Sequence, residues 1–96
     1  MTIYDIKISK VADKKLKSLN VTDRSKIAEL IYLLGQNPNH VGLDIKKIVG
    51  ESQGYILRVG KWRIVFEKDD LIKIIFIEKI GARGGIYKWI YKSLIQ

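Results

Sequence analysis

The stretch Tyr55-Ile56-Leu57-Arg58-Val59-Gly60-Lys61-Trp62-Arg63-Ile64-Val65-Phe66 decides how this chain folds. It reads as two strands around Gly60-Lys61, and a glycine at the first position of a two-residue loop is what a type II′ hairpin turn requires. Such a turn fixes the register. Val59 lies opposite Trp62, Arg58 opposite Arg63, Leu57 opposite Ile64, Ile56 opposite Val65 and Tyr55 opposite Phe66. Side chains alternate across a strand, so Tyr55, Leu57, Val59, Trp62, Ile64 and Phe66 share one apolar face, which must be the core. Arg58 and Arg63 are cross-strand neighbours on the other face.

Like charges directly opposite each other destabilise a strand pair, and a sheet chosen for stability alone would place an acid at one position. Two guanidinium groups on rigid strands are suited to clamping a phosphate, because arginine presents a planar fork of donors matched to phosphate oxygens. The structural alternative is that both side chains splay into water, or that Glu51, Glu67 or Glu78 bridges them.

Upstream of the hairpin, Ile3 to Ile8 alternates, with Tyr4, Ile6 and Ile8 on one face, and predicts a half-buried strand. Ser9 is a candidate N-cap for a helix ending near Asn20, whose apolar positions are Val11, Ala12, Leu16 and Leu19. Thr22 and Asp23 open a second helix with the stripe Ile27, Leu30, Ile31 and Leu34, stopped by Gly35 and Pro38. Residues 37–53 read as a long polar loop with at most one turn of structure.

Downstream, Lys68-Asp69-Asp70 leads into a third strand, Leu71 to Ile80, completing an antiparallel meander. That strand is apolar on both faces, so it lies mid-sheet or is covered by helices on both sides. Gly81, Gly84 and Gly85 then break the pattern before a short helix from Ile86 to Leu94. The order is β-α-α-β-β-β-α. It predicts an α+β fold, an antiparallel sheet with two N-terminal helices packed on it and a short C-terminal helix, as one domain over residues 1–96.

The composition agrees with a compact globule: 96 residues, 47% hydrophobic and 29% charged. Eighteen Lys and Arg against ten Asp and Glu give a net charge of +8, which favours a polyanionic partner, nucleic acid above all. There is no cysteine, which rules out disulfides, thiolate zinc sites and a cysteine nucleophile. His40 is the sole imidazole, lies in a polar loop and reads as a bystander, so no Ser-His-Asp set can be assembled. No metal-ligand spacing or phosphate-binding glycine loop occurs, and no metal or cofactor is expected. Asp5 and Lys7 interrupt the stretch where a secretion signal needs an apolar run, and no run is long enough to span a bilayer. A cytoplasmic protein without a membrane partner is the expectation.

Arg83 sits in Gly81-Ala82-Arg83-Gly84-Gly85, where glycines permit close approach of a ligand backbone, or it is simply a solvated loop arginine. Tyr87 follows four residues later. It is placed to stack on a base or to use its hydroxyl on a phosphate, or else to pack in the core beside Ile86. Lys46, Lys47 and Lys61 are candidates to track a nucleic-acid backbone, or they only solvate the surface. Asp69 and Asp70 read as turn residues. Ile86, Tyr87, Trp89, Ile90, Tyr91 and Leu94 form a set wide for one core stripe, suited to covering the core or to a protein partner.

The hairpin, preceded by Leu43-Asp44-Ile45-Lys46-Lys47-Ile48-Val49-Gly50 and followed by Ile80-Gly81-Ala82-Arg83-Gly84-Gly85-Ile86-Tyr87, resembles the RelE/ParE superfamily of type II toxin-antitoxin toxins along essentially the whole chain. The resemblance implies a RelE-like fold and a toxin that enters the ribosomal A site and cleaves messenger RNA there, neutralised by a cognate antitoxin. It further implies metal-independent attack of the ribose 2′-hydroxyl on the adjacent phosphate, leaving a 2′,3′-cyclic phosphate and a 5′-hydroxyl. On this resemblance Arg63 and Arg83 stabilise charge on the phosphate, Arg58 is a basic clamp on the neighbouring strand, and Tyr87 orients or activates the 2′-hydroxyl. Ile56 departs from the pattern, standing where some ribosome-dependent members carry a lysine. A ParE-like inhibitor of DNA gyrase, or a relative that binds antitoxin without catalysis, is the alternative.

Overall fold

Period-two patterning and the Gly60 turn produce the centre of a computed structural model, described over residues 3–51 and 53–94. The elements are β1 (Asp5–Ile8), α1 (Lys10–Ser18), α2 (Val21–Gln36), β2 (Ile45–Lys47), β3 (Gly54–Val59), β4 (Trp62–Asp69), β5 (Ile74–Ala82) and α3 (Arg83–Leu94). Five strands form one sheet in the order β1-β5-β4-β3-β2. The pairing of β3 with β4 matches the expected register at every position from Tyr55↔Phe66 to Val59↔Trp62. Of the two loop residues only Gly60 has a positive φ, 57°, which is the type II′ pattern that glycine adopts without strain.

The α+β class stands, with two differences in the sheet. It is mixed rather than wholly antiparallel, because β1 runs parallel to β5. It also has a strand inside the expected loop: Ile45, Lys46 and Lys47 pair with Leu57, Ile56 and Tyr55. Three residues are too few to display a period of two, so this edge strand is made by its neighbour β3 rather than by local pattern.

β5 starts later than the apolar run suggested. Asp69 folds back to accept hydrogen bonds from the backbone of Leu71 and Ile72 at 3.0 and 3.2 Å, and Lys73 turns at φ 57°. This side-chain turn leaves Leu71 and Ile72 exposed, at 94% and 65%. Further on, Phe66 faces Ile77 while Val65 faces Lys79, so Glu78 is bulged out of the ladder. The bulge places Ile80 on the core face with Ile75 and Ile77 despite its odd spacing.

Ser9 caps α1 as expected, accepting from the Ala12 amide at 3.0 Å. Ala12, Leu16 and Leu19 face the core, but Val11 is 58% exposed. The cap of α2 is Asn20, not Thr22, with its side-chain oxygen on the Asp23 amide at 2.9 Å. Gly35 does not end α2, which continues to Gln36. The glycine lets the helix approach β1: a Cβ there would lie 3.0 Å from Ile6 and 3.3 Å from the Tyr4 carbonyl.

The main core lies between one face of the sheet and the first two helices, centred on Ile27, Leu34, Leu57, Ile64, Phe66, Ile75 and Ile77. On the opposite face a smaller cluster of Ile48, Ile56, Val65 and Ile86 anchors α3, with Trp89 and Ile90 packed against it. β5 is thus both mid-sheet and covered on both faces, as its two-sided apolar pattern implied. The side chain of Leu94, expected on the same helical stripe, lies outside the described residues. Among the described residues no helix is long and apolar enough to cross a membrane.

Candidate functional site

The hairpin places Arg58 and Arg63 directly opposite each other on the α3 side of the sheet. Their environments differ completely. Arg63 is only 8% exposed, and its Nη1 donates to the carbonyls of Gly60 at 2.7 Å and Trp62 at 2.9 Å. These bonds fold the guanidinium back over the hairpin tip. Its Nε is buried and has no hydrogen-bond partner within the described protein.

Arg58 is exposed and held by Asp44, which accepts from Nε at 3.1 Å and from Nη2 at 2.9 Å. Neither structural alternative for the pair holds: Arg63 is buried rather than splayed into water, and the acid beside the pair is Asp44, which binds Arg58 alone, rather than Glu51, Glu67 or Glu78. Asp44 was missed because it precedes a strand that the pattern did not reveal. The available signal was an acid beside the basic Ile45-Lys46-Lys47 segment.

Tyr87 reaches this pair from the first half of α3. Its phenol is held below the ordinary tyrosine pKa, above all by the adjacent Arg63 guanidinium, with Lys46 and Arg58 adding to the positive field, while desolvation works in the opposite direction. The ring is 38% exposed, so Tyr87 is not the core residue of the structural alternative; Ile86, beside it, is.

Arg83 is the first residue of α3 and not a loop residue. Its backbone amide donates to the Lys61 carbonyl at 3.0 Å, which ties the start of the helix to the hairpin tip. Its side chain is exposed.

The three lysines separate. Lys46 pairs with Ile56 and contributes to the field at Tyr87. Lys47 is one residue on, and its ammonium stands 5.0 Å from the Tyr55 ring, against a residue of the core face. Lys61 lies at the turn over Trp62, 5.1 Å from the ring. His40 accepts from the Gly42 amide at 2.9 Å within its own loop. Ile56, at the departure from the family pattern, is 4% exposed beneath Ile86.

The fold and this cluster define a small basic α+β domain with two arginines and a tyrosine gathered on the outer face of a hairpin. No protein-family model matches the chain. Toxin RelE1 of Methanocaldococcus jannaschii is 38% identical over 88 residues, spanning 88% of this chain and 96% of that one. Among solved structures, the archaeal RelE–RelB complex from Pyrococcus horikoshii contains a chain with a TM-score of 0.75 and 30% identity, covering 88% of this chain and 98% of that chain. A chain of the RelB–RelE antitoxin–toxin complex from Methanococcus jannaschii gives 0.70 and 32%, with 86% and 96% covered. This protein belongs to the RelE family of toxins.

Proposed function

We propose that this toxin is a ribosome-dependent endoribonuclease that cleaves messenger RNA in the A site and is held inactive by a cognate antitoxin. The observation that carries the reading is the buried Arg63, whose Nε remains unpaired while its charge acts on the Tyr87 phenol. A buried donor without a partner is rare and favours an anionic ligand. The phenol beside it is shifted toward the phenolate, the form that takes a proton.

In the proposed reaction Tyr87 oxygen accepts the proton of the ribose 2′-hydroxyl. The 2′-oxygen then bonds to the adjacent phosphorus, and the bond from phosphorus to the 5′-oxygen breaks. A 2′,3′-cyclic phosphate and a 5′-hydroxyl result, the leaving oxygen taking its proton from solvent. Arg63 and Arg83 offset the charge that develops on the phosphate, and Arg58 clamps the same backbone. Lys46 and Lys61 follow neighbouring phosphates; Lys47, against the core face, is better suited to long-range attraction.

An antitoxin partner is supported by the two similar structures, which are RelE–RelB complexes. The action is proposed to be cytoplasmic and to reside in the RelE-like domain of residues 1–96. The test is a 2′-deoxy substitution at the scissile nucleotide of a ribosome-bound messenger, which should abolish cutting. Equal cleavage of the deoxy message would reject the mechanism. Primer extension on messengers from expressing cells separates the gyrase alternative, which predicts intact messengers with supercoiling defects.

A further inference from the structure

We propose that Asp44 is the positioning residue of this site, fixing the guanidinium of Arg58 for the ribose-phosphate backbone of the substrate. The proposal rests on the nuclease reading. The Arg58 backbone N–H donates to the Asp44 carbonyl at 2.8 Å. That amide therefore points toward β2, which makes Arg58 and Arg63 a non-hydrogen-bonded pair, the arrangement in which cross-strand side chains come closest. Two cations there repel, and Arg58, being exposed, is free to swing away from its neighbour.

Asp44 counters both effects. Its carboxylate supplies the missing negative charge, and its two oxygens bind Nε and Nη2 side by side. A bidentate pair fixes the plane of the guanidinium as well as its position. Arginine has five donor hydrogens, so about three remain for a phosphate after the two taken by Asp44. The acid is itself placed by a backbone bond to the residue that it orients, so carboxylate and guanidinium move as a unit with the β2–β3 edge. Arg58 in turn contributes to the positive field at Tyr87.

The experiment compares wild-type protein with Asp44→Asn, Arg58→Ala and the double variant, measuring cleavage of a ribosome-bound messenger and the NMR signal of the Arg58 Nε–H. Asp44→Asn should lower kcat by about tenfold to a hundredfold, the scale of a misplaced contact group. KM should stay level or fall, since net positive charge rises. In the Arg58→Ala background Asp44→Asn should have no further effect. The Arg58 Nε–H should exchange faster with water once the carboxylate is removed. Unchanged or faster cleavage by Asp44→Asn would overturn the proposal, as would an equal loss in the Arg58→Ala background or an unaltered Nε–H signal. Should wild-type protein leave every messenger intact, the nuclease reading fails, and the Nε–H signal alone decides whether Asp44 positions Arg58.

Discussion

Along β4 the side chains facing α3 run Arg63, Val65, Glu67, so the two ends of one helix cover opposite chemistries. At its N-terminal end lie Arg58, Arg63 and Tyr87, with Lys46 near enough to act on the phenol. At its C-terminal end Glu51, Glu67 and Glu78 line a cavity of about 150 Å³ together with Trp89 and Ile90. Burial raises the pKa of Glu78, and the neighbouring charge and hydrogen bond of Glu67, with the charge of Glu51, raise it further. Each end gathers like charges and holds a group with a shifted pKa, but among the described residues the arginine end has a counter-ion, Asp44 on Arg58, whereas Glu78 meets further carboxylates. Charge clustering alone does not mark a site; a cluster in which an opposite charge and a phenol are set beside the cations does.

Substitutions at the two ends should therefore differ sharply. Arg63→Ala should show the largest loss, about a thousandfold in messenger cleavage, the scale of removing a buried donor to a developing charge. The protein should remain folded by circular dichroism, because Arg63 lies off the main core. A collapsed spectrum would mean that its bonds to Gly60 and Trp62 build the hairpin instead. Tyr87→Phe should cost on the order of a hundredfold by removing the proton acceptor.

The pH dependence follows from the direction of the Tyr87 shift. Lowering the phenol pKa extends the phenolate form to lower pH, so cleavage should rise with pH and level off below the ordinary tyrosine range. Lys46→Ala removes part of the field and should move that rise upward in pH. A profile indifferent to Lys46 would separate that lysine from the site.

Between the ends, Ile86→Ala should destabilise by about 2–5 kcal/mol, since it empties the small cluster that anchors α3. Cleavage should fall with it as Tyr87 loses its support, whereas unfolding and activity that change independently would show α3 to be anchored elsewhere. The smallest effect belongs to the acidic end. Glu78→Gln should raise the melting temperature at neutral pH by only about 1–3 °C, by removing one of the crowded charges. The sign is fixed by the raised pKa: the folded state holds the proton more tightly than the unfolded state, so wild-type stability falls as pH rises through the raised value. The Gln variant should lack that slope.

Much of this arrangement was legible because it is local. The Gly60-Lys61 turn sets the hairpin register within a dozen residues, and with it both the core face and the opposition of Arg58 to Arg63. Ser9, the stripe of α2 and the two-sided β5 were readable for the same reason, since periodicity reports which side of an element is buried. β2 and the turn at Asp69 were not, because a three-residue strand has no period and apolar Leu71-Ile72 imitates the strand that follows.

What the sequence determined by itself is the hairpin, the α+β class and two arginines on a non-core face, through contacts between near neighbours in the chain. Only the tertiary structure decided what those arginines became. Asp44 lies fourteen residues from Arg58 and reaches it through the edge pairing of β2. Tyr87 meets Arg63 because the Ile86 cluster seats α3 on the sheet and the Arg83 amide pins its start to Lys61. Equal as charges in the sequence, the two arginines end with different chemistry, one buried against a phenol and one bound to a carboxylate, because desolvation and hydrogen bonding depend on which distant residues packing brings beside them.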